Sequence, residues 1–300
     1  MRYKSGEGLT GWVFEHNEIV NVPDLTADDR WSREPEFEGY LPSGLAKTAL
    51  IVPLRAGERT LGALGVVNKK HASAFTQRDE NYLLSLAGQV AVAIEKAQLY
   101  ENIRELSVST IRSLTAAIDA RDPYTHGHSQ GVTYLAVELG KQIGLIPAEL
   151  ELLEFAALLH DVGKISVPDQ ILRKKEKLTP SEWESIRLHP YHGIQIIHPV
   201  AALAKIEPWI YHHHEKWDGS GYPDGLRGED IPLEARIIAI ADSYNAMTTD
   251  RPYRRALSQK EALAEIRHGT GTQFDPNLAE AFIILIVGRN DSPGVSKVLS

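Results

Sequence analysis

The chain has no cysteine, so it can form no disulfide framework and offers no thiolate chemistry. A reducing, cytoplasmic setting fits that composition. Long apolar runs are missing as well. The run at 281–287 falls far short of the roughly 20 residues that a membrane-spanning helix needs, so no membrane association is expected. Met1-Arg2-Tyr3-Lys4 leads straight into Gly6, Gly8 and Gly11 without the apolar stretch of a signal peptide. Nor is positive charge in excess. Lys and Arg total 32 against 40 Asp and Glu, a formal net charge of −8, which argues against a broad nucleic-acid surface but leaves room for a local basic pocket. There is no low-complexity tract and no internal repeat. What remains is an ordinary globular composition, 43% hydrophobic over 300 residues. That length exceeds what one core usually organises, so two domains are expected.

Residues 1 to about 76 read as alternating strands and turns. The apolar run at 49–54 predicts a buried strand, 55–59 a turn and 60–68 a returning strand, together an antiparallel hairpin. From Thr76 to about Ala120 the period becomes helical. Leu83, Leu86, Val90, Ile94 and Ala97 recur three or four apart, followed by Leu99, Ile103, Leu106, Thr110 and Leu114, and no proline interrupts them. One small domain cannot cover so long a seam, which predicts a signalling helix and a homodimer formed through it. The shift between Ala97 and Leu99 fits a stutter; the alternative is two helices broken near Asn102. Beyond Asp122-Pro123 every segment reads as helix, at 130–143, 147–160, 180–188, 233–247, 259–268 and 276–286. Thr179-Pro180-Ser181-Glu182 is a strong start signal. The expected organisation is an α+β domain at 1–98, a linker helix at 99–118 and an all-α domain at 119–290.

Chemistry concentrates in the second half. Leu159-His160-Asp161-Val162-Gly163-Lys164 sets an imidazole beside a carboxylate, and Tyr211-His212-His213-His214-Glu215 gathers three more imidazoles. His189 lies between them, His128 upstream and Asp242 downstream. A carboxylate can bridge two cations while neutral imidazoles complete their shells. Two such ions, roughly 3.5–4 Å apart, acidify a shared water and stabilise phosphoryl oxygens, which is phosphoester hydrolysis. His160 and Asp161 end a predicted helix whose carbonyl-rich terminus favours a cation. Gly163 then turns the chain so that Lys164 points back. Blander readings exist for each part. A lone histidine is usually a surface or hydrogen-bonded core residue, and His16, His71, His126, His192, His198 and His268 are read that way. Three consecutive histidines can be a solvated turn, and Asp242 a solvent-facing helix residue. The ordered set as a whole favours metal. Arg251-Pro-Tyr-Arg254-Arg255 is a candidate anion pocket.

Two resemblances follow. Gly6-Glu7-Gly8-Leu9-Thr10-Gly11-Trp12-Val13, Val20 to Asp24, the hairpin and the helix resemble the later part of a GAF domain. Asn68-Lys69, Phe75 and Asp79-Glu80 are similar to a signature of some cyclic-nucleotide-binding members. A Lys69–Asp79 ion pair pinning the last strand to the helix accounts for the same residues and is placed first. The helix and strands that normally open such a domain are missing, so the module is abbreviated or the sequence starts inside it. The blocks 159–164, His189-Pro190, 213–223 (with Gly221-Tyr222-Pro223), 241–254 and 271–276 resemble the HD-GYP phosphodiesterases. That resemblance implies an all-α HD fold, two or three metals (most often iron or manganese) and hydrolysis of cyclic di-GMP.

Position by position it implies one ion held by His128, His160, Asp161 and Asp242, and a second by His189, His213 and His214, with Asp161 bridging. His212 precedes the pair and is not counted a ligand. Tyr124 stands where three-metal members carry glutamate, so two divalent ions are expected. Asn245 stands where aspartate is usual. A bridging hydroxide would attack phosphorus in line with the 3′ oxygen, giving pGpG and then GMP, with Asp161 and Lys164 as the catalytic residues. Lys164, Arg251 and Arg254 would neutralise phosphates. Tyr222 would stack on a guanine or meet a partner, and Glu215 and Asp218 would orient the imidazoles. Two other functions fit the same blocks: an inactive adaptor for diguanylate cyclases, and an HD phosphohydrolase acting on another nucleotide.

Overall fold

The apolar run at 49–54 becomes strand β2 (Ala49–Ala56), the middle of a three-stranded antiparallel sheet ordered β1-β2-β3, between β1 (Val20–Val22) and β3 (Arg59–Val67). The computed structural model describes residues 6, 8–30, 47–70, 74–121, 127–174, 176–250 and 255–290. It divides into two compact units, Met1–Glu105 and Leu106–Ser300. In the first unit, Ile51 pairs with Val20 on one side and Gly65 on the other. Side chains alternate along a strand, and here both faces are covered. Ala49 and Ile51 pack with Leu9 and Val13 of helix α1 (Gly8–His16). Leu50, Val52 and Leu54 pack with Leu83, Ala87 and Ala91 on the other face. Double burial is why this strand reads as a continuous run.

Helix α1 corrects the reading of residues 1–76 as strands and turns alone. Its glycines lower helix propensity, but Leu9 and Val13 sit one turn apart and bury together against the sheet, and that packing decides the conformation. Helix α2 (Gln77–Asp119) is one uninterrupted stretch of 43 residues, with no break near Asn102. Its start is capped reciprocally: Thr76 N–H donates to Asp79 Oδ2 at 2.6 Å, and Asp79 N–H to Thr76 Oγ1 at 3.4 Å. Lys69 forms an ion pair with that same carboxylate. Asn21 Nδ2 donates to Phe75 O at 3.1 Å and Glu80 Oε1 at 2.9 Å, so β1 is tied to the same helix turn. Further along, Leu86, Leu99, Ile103, Leu106 and Leu114 are exposed.

The regular elements among the second unit's described residues are helices, after the end of α2: α3 (His128–Gln142), α4 (Pro147–Leu159), α5 (Asp169–Leu172), α6 (Pro180–Arg187), α7 (His189–Ile197), α8 (Glu207–Tyr211), α9 (Leu233–Thr248), α10 (Gln259–His268) and α11 (Pro276–Asn290). The Thr179–Glu182 capping box opens α6. The short helices α5, α7 and α8 and the 3₁₀ turns Val162–Ser166 and Ala201–Ile206 are too brief for periodicity to reveal. One core joins Leu135 and Leu139 of α3, Leu153 and Ala157 of α4, Ile237, Ile238 and Ile240 of α9 and Phe282 of α11. Each fully buried aliphatic or aromatic side chain contributes about 1.5–3 kcal/mol. Among the described residues no helix is long and apolar enough to cross a membrane.

Candidate metal centre

Against that core lies a pocket of buried polarity, built where helices begin and end. His128 opens α3, and His160 caps the end of α4. Asp161 follows in the turn before the 3₁₀ segment Val162–Ser166. His189 opens α7, His213 and His214 follow α8, and Asp242 lies on α9. Gly163 makes the convergence possible. A Cβ there would meet His189 O at 1.9 Å and Gly193 N at 2.5 Å, so only glycine lets this turn lie against α7 and bring His189 to Asp161.

The two oxygens of Asp161 face different partners. Oδ2 lies 3.3 Å from His160 Nε2 and 4.0 Å from His128 Nε2, and the latter is 3.1 Å from Asp242 Oδ1. Oδ1 lies 3.3 Å from His189 Nε2, which is 3.4 Å from His213 Nε2. His214 completes that side, its ring 4.0 Å from the ring of His213. The donor atoms of Asp161, His189, His213 and His214 all lie within 4.8 Å of one another, as do those of His128, His160 and Asp161. Two overlapping donor sets therefore share one carboxylate.

The opposite ring nitrogens fix the tautomers. His160 Nδ1 donates to Ala157 O at 2.8 Å, His189 Nδ1 to Ile186 O at 2.7 Å and His213 Nδ1 to Ile210 O at 2.6 Å. A carbonyl only accepts, so Nδ1 carries the proton and Nε2 is left to bind a cation. Each acceptor lies three residues back, on the last turn of the preceding helix. His128 Nδ1 is held instead by Asn245 Oδ1 at 2.7 Å, in the interior. Asn245 thus orients a ring, the job its amide oxygen can do without a charge.

Electrostatics follow from burial. Burial holds His189 down at about 4 and His214 at about 3, and pushes His213 well below the ordinary imidazole range with the help of its histidine neighbours. Burial also opposes charge on His160, but the Asp161 carboxylate outweighs it and raises that ring to about 9. Burial would raise the Asp161 and Asp242 carboxyls, yet Lys164 and His160 around the first, and His128 beside the second, keep both well below the usual carboxylate range. His160 Nε2 is completely buried and makes no hydrogen bond. Such an orphaned atom amid neutral imidazoles and ionised carboxylates fits a divalent cation, and the set is one of nitrogen and oxygen donors.

Around this cluster the other predicted residues fall differently. Lys164 Nζ lies 2.5 Å from Asp161 Oδ2, so it is engaged with the central carboxylate and not aimed away from it. Tyr222 stacks on His214, ring centroids 4.9 Å apart. Glu215 does not orient an imidazole: its Oε1 accepts the N–H groups of Asp224 at 2.7 Å and Gly225 at 2.9 Å, bracing the loop. Asp218, exposed, accepts from Ser220 N–H within that loop and touches no imidazole either. Both corrections have one cause. The loop folds so tightly that a Cβ on Gly221 would meet Lys216 N at 2.3 Å, and its acidic side chains are used to hold that bend. His212 is turned away, bonded to Pro208 O and Asp224. Tyr124, His71, His126, Arg251 and Arg254 lie outside the described residues. The sequence reading missed Ala157, Ile186 and Ile210 as ring-orienting residues; histidines placed just past helix ends were the available signal.

Comparison with known proteins adds the family. The HD domain pattern matches residues 112–278 and the GAF domain pattern residues 1–95. The chain belongs to the HD-domain family. RpfG, a cyclic di-GMP phosphodiesterase response regulator of Xanthomonas campestris, is 38% identical to this HD protein over 204 residues, 65% of this chain and 53% of that one. A cyclic di-GMP phosphodiesterase of Thermotoga maritima is 35% identical over 211 residues, covering 68% and 56%. A 3′3′-cGAMP-specific phosphodiesterase of Vibrio cholerae is 35% identical over 196 residues, covering 65% and 38%. The chain thus spans about half or less of the length of these relatives. A crystal structure of a cyclic GMP-AMP-specific phosphodiesterase of the same organism superposes with a TM-score of 0.50 at 23% identity, covering 61% of this chain and 49% of that one, a likeness of fold.

Proposed function

We propose that this protein is a metal-dependent phosphodiesterase that opens a cyclic dinucleotide, cyclic di-GMP in the first place, to pGpG and GMP. The observation that carries the reading is the double use of Asp161, one oxygen towards His160 and His128 and the other towards His189. His128, His160, Asp161 and Asp242 would hold one ion and His189, His213 and His214 the other, iron or manganese. Bound there, divalent ions supply Lewis-acid chemistry, acidifying water and offsetting charge on phosphoryl oxygens. The protein's own part is preorganisation. The carbonyl-anchored rings of His189 and His213 present unprotonated Nε2 atoms without reorganisation, while His160, raised to about 9, gives up a proton as a cation binds. Lys164 keeps a positive charge beside the reacting phosphate, and the Gly221-Tyr222 loop walls the pocket with an aromatic face.

The relatives' names support cyclic di-GMP, and those named for 3′3′-cGAMP support that dinucleotide as a second substrate. The GAF-type unit would regulate the activity through the linker helix at 99–118, and the exposed Leu99, Ile103, Leu106 and Leu114 support a homodimer formed along α2. Anaerobic purification, metal counting and product analysis on both dinucleotides test the reading. About two ions per chain and conversion to pGpG or GMP are expected; metal-loaded protein inert on both would overturn it.

A further inference from the structure

Among the described guanidiniums of the second unit some are fastened to carboxylates and others are not, and Arg187 is distinguished by lying over a ring that stacks on the metal cluster. Arg112, Arg121 and Arg236 each pair with a carboxylate, Glu154, Asp169 and Asp275 respectively. Arg187, the exposed last residue of α6, has no hydrogen bond and no carboxylate partner among the described residues. Its guanidinium carbon instead lies 5.0 Å from the centre of the Tyr222 ring. That ring stacks on His214, a member of the metal cluster. The aromatic ring thus spans from the cluster to the guanidinium. An aromatic face restrains a guanidinium while leaving its five N–H donors free for a ligand. One helical turn before it, on the same face of α6, stands Trp183, an indole 53% exposed.

An exposed, unpaired, aromatic-held guanidinium beside a cation cluster suits an anion larger than one phosphate. We propose that Arg187 binds the phosphate that is not being cleaved in a cyclic dinucleotide, with Trp183 offering a stacking surface to the adjoining base. This rests on the phosphodiesterase reading above and deepens it: the metal side handles the scissile diester, and the end of α6 reads the rest of the ligand. A planar fork matches two phosphate oxygens at once, so the residue favours substrates that carry a second phosphate.

The test is steady-state kinetics of metal-loaded wild type, Arg187→Ala, Arg187→Lys, Arg187→Gln and Trp183→Ala. The probes are cyclic di-GMP and bis(4-nitrophenyl) phosphate, a diester with one phosphate. Losing a charged hydrogen bond is expected to raise KM for cyclic di-GMP about tenfold to a hundredfold in Arg187→Ala. That rise should exceed the change for the single-phosphate diester by at least about tenfold. Arg187→Lys should recover part of it; Arg187→Gln, of similar reach but neutral, should not. Trp183→Ala should raise KM for the dinucleotide about tenfold, the scale of a lost base-stacking contact. Metal content and melting temperature are measured on every variant. If Arg187→Ala loses metal, the lysine and glutamine variants at full occupancy decide. A KM for cyclic di-GMP unchanged in Arg187→Ala and Arg187→Gln, or raised equally for both diesters, overturns the role of Arg187 alone. Wild type that cleaves the small diester and no cyclic dinucleotide overturns the substrate reading, and with it this one.

Discussion

The two units of this chain treat polarity in opposite ways. Among the described residues of the first, the sole buried polar side chain is Thr48; its ion pairs Lys69–Asp79, Arg30–Asp28 and Arg104–Glu101 are partly exposed. The second buries His128, His160, Asp161, His189, His213 and Asn245 against its own apolar core. Burying such groups is costly unless each is satisfied. In the first unit every charge is where water would allow it, so packing alone explains the fold. In the second, one set of residues is buried in defiance of packing, and its histidine rings are anchored through the Nδ1 that faces away from the centre. The contrast separates charges that fasten a structure from charges that are kept for a ligand.

The sharpest way to break that contrast is to remove Asp161, the residue shared by both donor sets. Asp161→Ala should lower both bound ions together and reduce turnover by more than about a thousandfold. His128→Ala and His213→Ala should each lower the count by about one, because each serves a single side. Elemental analysis after anaerobic reconstitution reads all three. Loss of both ions on changing either histidine would show one merged site instead of two.

Asn245 sharpens the comparison further, since it touches a proposed ligand without being one. Asn245→Ala leaves His128 Nδ1 with no acceptor in a buried setting. Removing such a support typically costs ten- to a hundredfold in metal affinity, so weakening on the order of thirtyfold is expected, read by competition with a chelator. Asn245→Asp keeps the acceptor oxygen and should bind at least as tightly as wild type. Weakening in both variants would mean that the residue matters for packing and not for the ring.

Much of this was legible in the residues. Long helices announced themselves, because α2, α9 and α10 repeat an apolar face over enough turns to be read. The converging cluster was legible because its members are residue types that proteins seldom bury. Helix α1 was not, since two glycines, Gly8 and Gly11, disguise the Leu9–Val13 pair that a sheet then stabilises. The roles of Glu215 and Asp218 were misjudged for a related reason. Proximity in sequence to His213 and His214 says nothing of direction, and the tight bend at Gly221 turns both carboxylates towards backbone N–H groups. The carbonyls of Ala157, Ile186 and Ile210 carry no side-chain signature at all.

Protons should respond to the cluster and not to the first unit. His160, raised to about 9, is protonated in metal-free protein at neutral pH, so loading should release close to one proton per chain. Affinity should accordingly rise with pH up to about 9. Calorimetry in two buffers of different ionisation enthalpy counts that proton. For the metal-free fold the signs oppose. The raised ring favours folding below its ordinary value near 6.5, and that contribution is lost as pH climbs through about 9. His189 and His214, held at about 4 and about 3, are neutral in the fold but charge readily once unfolded. They therefore destabilise the fold as pH falls from about 6.5 towards 4. A melting temperature flat across that acid window would show that these rings are not buried neutral.

The smallest effect belongs to the first unit. Lys69→Ala removes the cation beside Asp79, yet Asp79 keeps the Thr76 N–H and hydroxyl at 2.6 and 2.7 Å, and Asn21 still holds Glu80. Partly exposed pairs of this kind contribute little because water screens them. Melting temperature should shift by no more than about 2–3 °C, with metal content and turnover as in wild type. Asn21→Ala should cost somewhat more, since it drops two hydrogen bonds that tie β1 to the helix start. A Lys69→Ala protein with altered metal content would mean that the charge at the head of α2 reaches the second unit, and the division between fastening charges and ligand charges would then fail at its plainest point.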